Sequence, residues 1–253
     1  MPAPAITDLE LERVAALGWQ APVSERLGDW LLRAADGFTG RANSVLPLGD
    51  PGMPLDDALD RVTSWYTNRG LHARLQVFAP AQDGLRAAIL DRGAVPAHGG
   101  QVMVASITDV TVHGPPAHPV RLEAHPSAAW QAQYHYRGAA ALPPVAVDLL
   151  SRGEVTFANV CDGDTVVGIA RGALGEGWLG ITAVEVADSH RRRGLATSLQ
   201  RALAEWAAGR GATGIYLQVD LDNDIAQRMY RRAGFTDHHT YRYLDLPVGG
   251  RAR

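Results

Sequence analysis

Lysine is absent from the chain: all 24 basic residues are arginine. That excludes Schiff-base chemistry on lysine and a phosphate loop ending in Gly-Lys-Ser/Thr. Any bound phosphate must be held by backbone N–H groups and guanidinium groups. Cysteine is almost as scarce. Cys161 stands alone among 253 residues, which excludes an intrachain disulfide and a cysteine-based metal cluster. No apolar run approaches the ~18–20 residues of a membrane span. The opening residues, Met-Pro-Ala-Pro-Ala-Ile-Thr-Asp, lack the basic and apolar segments of a signal peptide, so a cytoplasmic location is expected. Net charge is −3, so the molecule as a whole is not built to bind a polyanion, and neither nucleic acid nor membrane is an expected partner.

What is present is a soluble-type composition, 46% apolar, in a chain long enough for one large domain or two small ones. The most informative stretch is Arg191-Arg192-Arg193-Gly194-Leu195-Ala196-Thr197. Upstream, Gly180 to Val186 reads as a strand. Downstream, Leu195, Leu199, Ala202, Leu203 and Trp206 recur at helical spacing. A loop there aims several N–H groups at one point at the positive end of a helix, an anion site suited to a phosphorylated cofactor.

Around it the pattern predicts strands over 154–160, 165–174 and 178–186, with Cys161-Asp-Gly-Asp164 as a hairpin turn. Cys161 itself is read as a bystander, because no neighbouring base marks it as a nucleophile. A helix follows from Gly194 to about Gly209, then a strand at Ile215–Asp220. Asn223 caps a second helix that carries Tyr230 and ends at Gly234; Phe235–Leu246 returns as extended chain. The fold class expected is α/β: a mixed sheet with helices on it.

The first half echoes this order. Leu55–Tyr66 resembles Leu195–Trp206. Leu75-Gln-Val77 recurs as Leu217-Gln-Val219, and Asp91-Arg-Gly-Ala94 matches Arg232-Ala-Gly-Phe235. The copies differ where chemistry is expected. Leu48–Pro54, with two prolines and Asp50, stands in place of the arginine loop, and Ile89 stands in place of Tyr230. The reading is a duplication with one degenerate copy over 1–109, a proline- and histidine-rich linker over 110–126, and a working copy over 127–253.

Residues 178–243 resemble the GCN5-related N-acetyltransferases, the GNAT superfamily. The resemblance rests on the strand ending Val184-Glu185-Val186, the loop Arg191-x-x-Gly194-x-Ala196, the run Asn223-x-x-Ala226-x-x-x-Tyr230, and Gly234-Phe235. It implies two tandem acyl-CoA N-acyltransferase units and acetyl-CoA as cosubstrate, with no metal. By this resemblance, Val184 and Val186 would pair with the pantetheine arm. The pyrophosphate would sit on Arg191, Arg192, Arg193, Gly194, Leu195, Ala196 and Thr197. Tyr230 would be the general acid towards the leaving thiolate. Asn223 is either a cofactor contact or only a helix cap.

The general base is less defined. The family often places a glutamate where this chain has Thr182. Glu185 is a candidate on the same strand, out of phase with Thr182 if side chains alternate regularly. Glu176 and a water chain at Thr182 are alternatives. For the acceptor, Arg41 could clamp a carboxylate and Asn43 could bond an amide, although a structural ion pair also explains an arginine there. Trp130, Tyr134 and Tyr136 suit either a helix at the cleft wall or, more simply, core packing. His113, His118, His125 and His135 match no compact zinc spacing. The expected activity is acetyl transfer to a primary amine of a small molecule, such as an amino acid (glutamate is the lead from resemblance), by direct attack in a ternary complex. Alternatives are a protein N-terminal or lysine acetyltransferase and a non-catalytic acyl-CoA-binding regulator. A monomer or homodimer is expected.

Overall fold

A computed structural model describes residues 3–111, 116–138 and 141–247. In the first half, α1 (Asp8–Gly18) is followed by a small antiparallel sheet of β1 (Val23–Leu27), β2 (Trp30–Ala34) and β3 (Leu46–Pro47). Then come α2 (Leu55–Thr67), β4 (Arg74–Ala79), α3 (Asp83–Leu90) and β5 (Val95–Ser106). The middle holds α4 (Ile107–Thr111), β6 (Arg121–Glu123), α5 (Ala128–Gln133) and α6 (Pro144–Leu150). The second half is β7 (Glu154–Asp162), β8 (Thr165–Gly175), β9 (Trp178–Val186), α7 (Leu195–Ala208), β10 (Gly214–Asp220), α8 (Asp224–Arg232) and β11 (Thr236–Asp245).

The expected mixed sheet is present, with an order the sequence does not disclose. Eight strands form one sheet in the order β4-β11-β5-β10-β9-β8-β7-β6. The last strand of each half crosses to the other: β5 pairs with β10, and β11 pairs with β4. β5 and β11 then pair with each other. The run helix–strand–helix–strand begins at 55, 74, 83 and 95 and again at 195, 214, 224 and 236. The segment expected to be a plain connection carries β6, which closes the sheet edge on β7, and Val110, which packs in the core of the second half.

Helix α7 lies on one face of the sheet, where Leu195, Leu199 and Leu203 pack on Ala158, Ala170 and Ile181. The other face carries α1, α5 and α6 around Trp19, Trp130, Phe157 and Ile169. Between these layers Arg171 is fully buried. Its guanidinium donates to the carbonyls of Leu150 and Gly18, the last residues of α6 and α1, and to that of Arg152 just beyond α6. Burial lowers its pKa to about 10, still well above neutrality. One cation thereby ties the first helix of the chain to the second-half sheet.

Candidate active site

The site begins where two parallel strands part. β9 and β10 pair from Trp178–Gly214 to Ile181–Leu217, and there the ladder stops. β9 continues to Val186 and β10 to Asp220, so the two diverge as a V. A bulge sharpens the divergence. Ile169 opposes Glu185 and Arg171 opposes Thr182, so Ala170 alone faces two residues, Ala183 and Val184. Ala183 takes a left-handed φ of 53°, a conformation that costs a non-glycine residue about 1–2 kcal/mol.

The bulge corrects an expectation. Thr182 and Glu185 oppose Arg171 and Ile169, two residues apart on β8, and so share one face of the sheet. Regular alternation would have separated them. Val184 and Val186 pack on the α7 side, with the core of the second half.

A cleft of about 1070 Å3 fills the V and runs along the start of α7. Val184, Val186, Arg191, Arg192, Gly194, Leu195, Ala196, Thr197, Asn223 and Tyr230 all line it. Gly194 is the N-cap of α7 with φ 83°, and no side chain caps the helix. The first intrahelical bond there is from Ser198 N to the Gly194 carbonyl, so the N–H groups of Leu195, Ala196 and Thr197 are left to an anion. Arg192, Arg201 and Arg232 also line the cleft and form no salt bridge among the described residues. Sequence reading missed Arg201 and Arg232; both lie on helix faces flanking the loop, where spacing could have found them.

The remaining expected residues fall elsewhere. Arg193 does not line the cleft; its carbonyl meets His118 Nε2 at 2.7 Å, which straps the loop from behind. Arg191 lines it, but its guanidinium is held by the Val186 carbonyl and Asp188. Asn223 Oδ1 accepts from Ala226 N, so it caps α8 while lining the cleft. Glu185 is turned away from the cleft, bound through both oxygens to His135, at 2.7 Å to Nδ1 and 2.8 Å to the backbone N. Glu176, the alternative base, instead forms an exposed ion pair with Arg13. Asn43 offers nothing to an acceptor. Its Oδ1 accepts from Ala35 N and Gly37 N and its Nδ2 donates to the carbonyls of Phe38 and Thr39, so the amide is spent on shaping the turn.

Arg41 behaves differently. It is half-buried, stacks 4.6 Å from the Trp19 ring, and donates to Gln218 Oε1 at 2.8 Å. Gln218 is the first β10 residue past the end of the ladder. Its Nε2 and the Thr182 hydroxyl, across the V, are buried without a hydrogen-bond partner among the described residues. Tyr134, α5's C-cap, lies near both Arg41 and Glu185, and burial pushes its phenol up to about 12. Trp130 lies in α5 as expected, while Tyr136 sits in the following 3-10 turn.

Tyr230 is 8% exposed, edge-on to Phe235, and lines the cleft. Burial pushes its phenol up to about 12, so it holds its proton at neutral pH, the state an acid requires. Of the four histidines considered for metal binding, the three among the described residues stand apart. His118 and His135 hold separate posts, His125 is exposed, and His113 lies outside the described residues.

With this geometry in view, comparisons with known proteins decide the family. Residues 8–244 match the family described as probable histone acetyltransferase Rv0428c, C-terminal. The chain belongs to that family. This GNAT-type acetyltransferase is 32% identical over 241 residues to "Probable histone acetyltransferase Rv0428c" of Mycobacterium tuberculosis, covering 92% of this chain and 72% of the relative. It is 27% identical to the "Uncharacterized N-acetyltransferase YobR" of Bacillus subtilis, covering 91% and 96%. The fold also matches a GCN5-related N-acetyltransferase from Kribbella flavida, with a TM-score of 0.73 at 18% identity over 97% and 98% of the two chains. A tandem GNAT protein from the clavulanic acid biosynthesis pathway matches with a TM-score of 0.67 at 15% identity, over 99% and 90%. The protein is therefore an acetyl-transferring enzyme of the GNAT superfamily, which implies use of an acyl-CoA.

Proposed function

We propose that this acetyltransferase moves acetyl from acetyl-CoA to the primary amine of a small molecule that carries a carboxylate, an amino acid such as glutamate being one case. The observation that carries this reading is Arg41. It is a half-buried cation that does not itself line the cleft but bonds to Gln218, which does, and it forms no salt bridge among the described residues. Two polar atoms of the cleft lining, Gln218 Nε2 and Thr182 Oγ1, are buried without a partner among the described residues. Buried charge and buried donors are costly unless paired, so the group they suit is an anionic, hydrogen-bonding one.

The donor set on the other side suits acetyl-CoA. The uncapped N–H groups of Leu195, Ala196 and Thr197, with Arg192, Arg201 and Arg232, would hold its phosphates. The β9 edge at Val184 and Val186, freed where the ladder ends, would pair with the pantetheine arm and direct an N–H at the thioester oxygen. The acceptor nitrogen would bond to the acetyl carbon as the carbon–sulfur bond breaks, and Tyr230 would give its proton to the sulfur. Glu185 and His135 are bonded to each other on the face of the sheet that also carries Thr182, outside the cleft lining. The pair would take the amine's proton, with Glu185 fixing the imidazole tautomer.

The two-unit organisation (1–109, linker 110–126, 127–253) is part of the same reading. The exchanged strands and repeated element order support a duplication in which the first unit closes the acceptor side. Acetylation of a protein N-terminus or lysine is the second reading, favoured by the M. tuberculosis relative's name. It needs an open groove, whereas the Arg41–Gln218 bond brings the first half against the mouth of the V. Thiol release from acetyl-CoA across a panel of amino acids, simple amines and peptides separates them. Turnover confined to peptides would overturn the small-molecule reading. Tight acetyl-CoA binding with no turnover on any amine would point to a regulator.

A further inference from the structure

Away from the cleft, α1 and β11 bring Asp8, His238 and His239 to one point. The Nδ1 atoms of the two histidines lie 2.8 Å apart. Asp8 Oδ1 lies 3.4 Å from His238 Nδ1 and 3.7 Å from His239 Nδ1. A shift in the β5–β11 register between Asp237 and His239 makes this possible, since regular alternation would send neighbouring side chains to opposite faces.

The tautomers follow from the far side of each ring. His238 Nε2 lies 3.0 Å from the Ile6 carbonyl, which can only accept, so Nε2 carries the hydrogen. His239 Nε2 lies 2.9 Å from Glu12 Oε1, which sets the same tautomer. Each neutral ring therefore points an Nδ1 lone pair inward, beside a carboxylate. Three acceptors converge if both rings are neutral, and their hydrogen bonds among the described residues bring in no other donor. A positive charge at their centre, a shared proton or a metal ion, satisfies all three.

We infer that Asp8, His238 and His239 form a binding site for a divalent transition metal of the zinc class. Two imidazoles and one carboxylate are the borderline N/O set such ions take, where calcium and magnesium prefer oxygen alone. Tetrahedral bonds of about 2.0 Å place ligand atoms about 3.3 Å apart, within the span of the three separations here. The outer contacts match those of metal-bound histidines, whose second nitrogen donates to a carboxylate or a carbonyl. Glu12 is itself held by Gln76 Nε2 at 2.9 Å. Glu12 is 2% exposed and His239 3%, so an inner dication also offsets a buried carboxylate. Asp8 and His238 reach the surface, which gives the ion an entry path and a position for water. Bound there, the metal pins the first helix of one half to the last strand of the other.

The test uses the full chain, stripped with a chelator and titrated with zinc chloride and then cobalt(II). One equivalent of zinc retained after gel filtration is expected, with a raised melting temperature and a visible cobalt absorption band. His238→Gln and Asp8→Asn, both near the surface, should weaken zinc at least tenfold. Glu12→Gln, acting through His239, should weaken it about 10–100-fold. His125→Gln, at an exposed histidine elsewhere, should retain the equivalent. Circular dichroism of the stripped variants checks that they fold. No zinc retained by the parent chain, or equal retention by folded His238→Gln, would overturn the inference. So would histidine resonances that report a protonated His238–His239 pair unmoved by zinc.

Discussion

Arg41 donates to Gln218 Oε1 at 2.8 Å, across 177 residues of sequence. The bond joins a turn in the half without a cofactor loop to the β10 residue at which the V opens. Under the proposed function, the acceptor side would be a joint product of both halves. Arg41→Gln should raise KM for a carboxylate-bearing amine by about 10–100-fold, the cost of one lost charge-assisted pair, and leave KM for acetyl-CoA within about twofold. Steady-state kinetics with both substrates varied checks the split.

Tyr230→Phe removes the proposed acid with little change in packing. A fall in kcat of about 10²–10⁴-fold with unchanged acetyl-CoA affinity is expected. Because burial holds the phenol up to about 12, the parent's rate should show no alkaline limb from this residue near pH 10. A stopped-flow pH profile, compared with the variant, checks both.

Glu185→Gln should lower kcat for amines that enter as ammonium ions, read by steady-state kinetics at saturating acetyl-CoA. His135→Gln should do the same if the pair acts as a unit, and the double variant should then cost little more than either single change. Additive losses would separate the two roles.

Alkaline unfolding provides a readout independent of activity. Burial holds the phenols of Tyr134, Tyr216 and Tyr230 up to about 12. In the unfolded chain they ionise near 10. The folded state therefore binds protons more tightly, and this contribution is complete below about pH 10 and is lost as pH rises towards 12. Urea midpoints across that range should fall, and Tyr230→Phe should flatten part of the fall.

Much of the second half was legible because its signals are local. Asp-Gly marks the β7–β8 hairpin, Asn223 does cap α8, and the apolar spacing of Leu195, Leu199 and Leu203 gives α7. Three features were hidden because they are not local. The crossing of β5 and β11 depends on pairing between halves, and nothing in either strand names its partner. The bulge at Ala183 inverts the phase of Glu185 relative to Thr182 without a glycine to announce it. Asn43, a polar residue in a polar stretch, turned out to be satisfied by four backbone groups, which composition cannot distinguish from a ligand contact.

The proposed acceptor is a carboxylate-bearing small amine read by Arg41. The most direct measurement is kcat/KM for glutamate against its 1-decarboxylated and 5-amide analogues, in the parent and in Arg41→Gln. The parent should prefer one carboxylate by at least tenfold, and Arg41→Gln should erase that preference while keeping the rate on the analogue that lacks it. Equal rates on all the analogues, or a preference that survives in Arg41→Gln, would contradict the account.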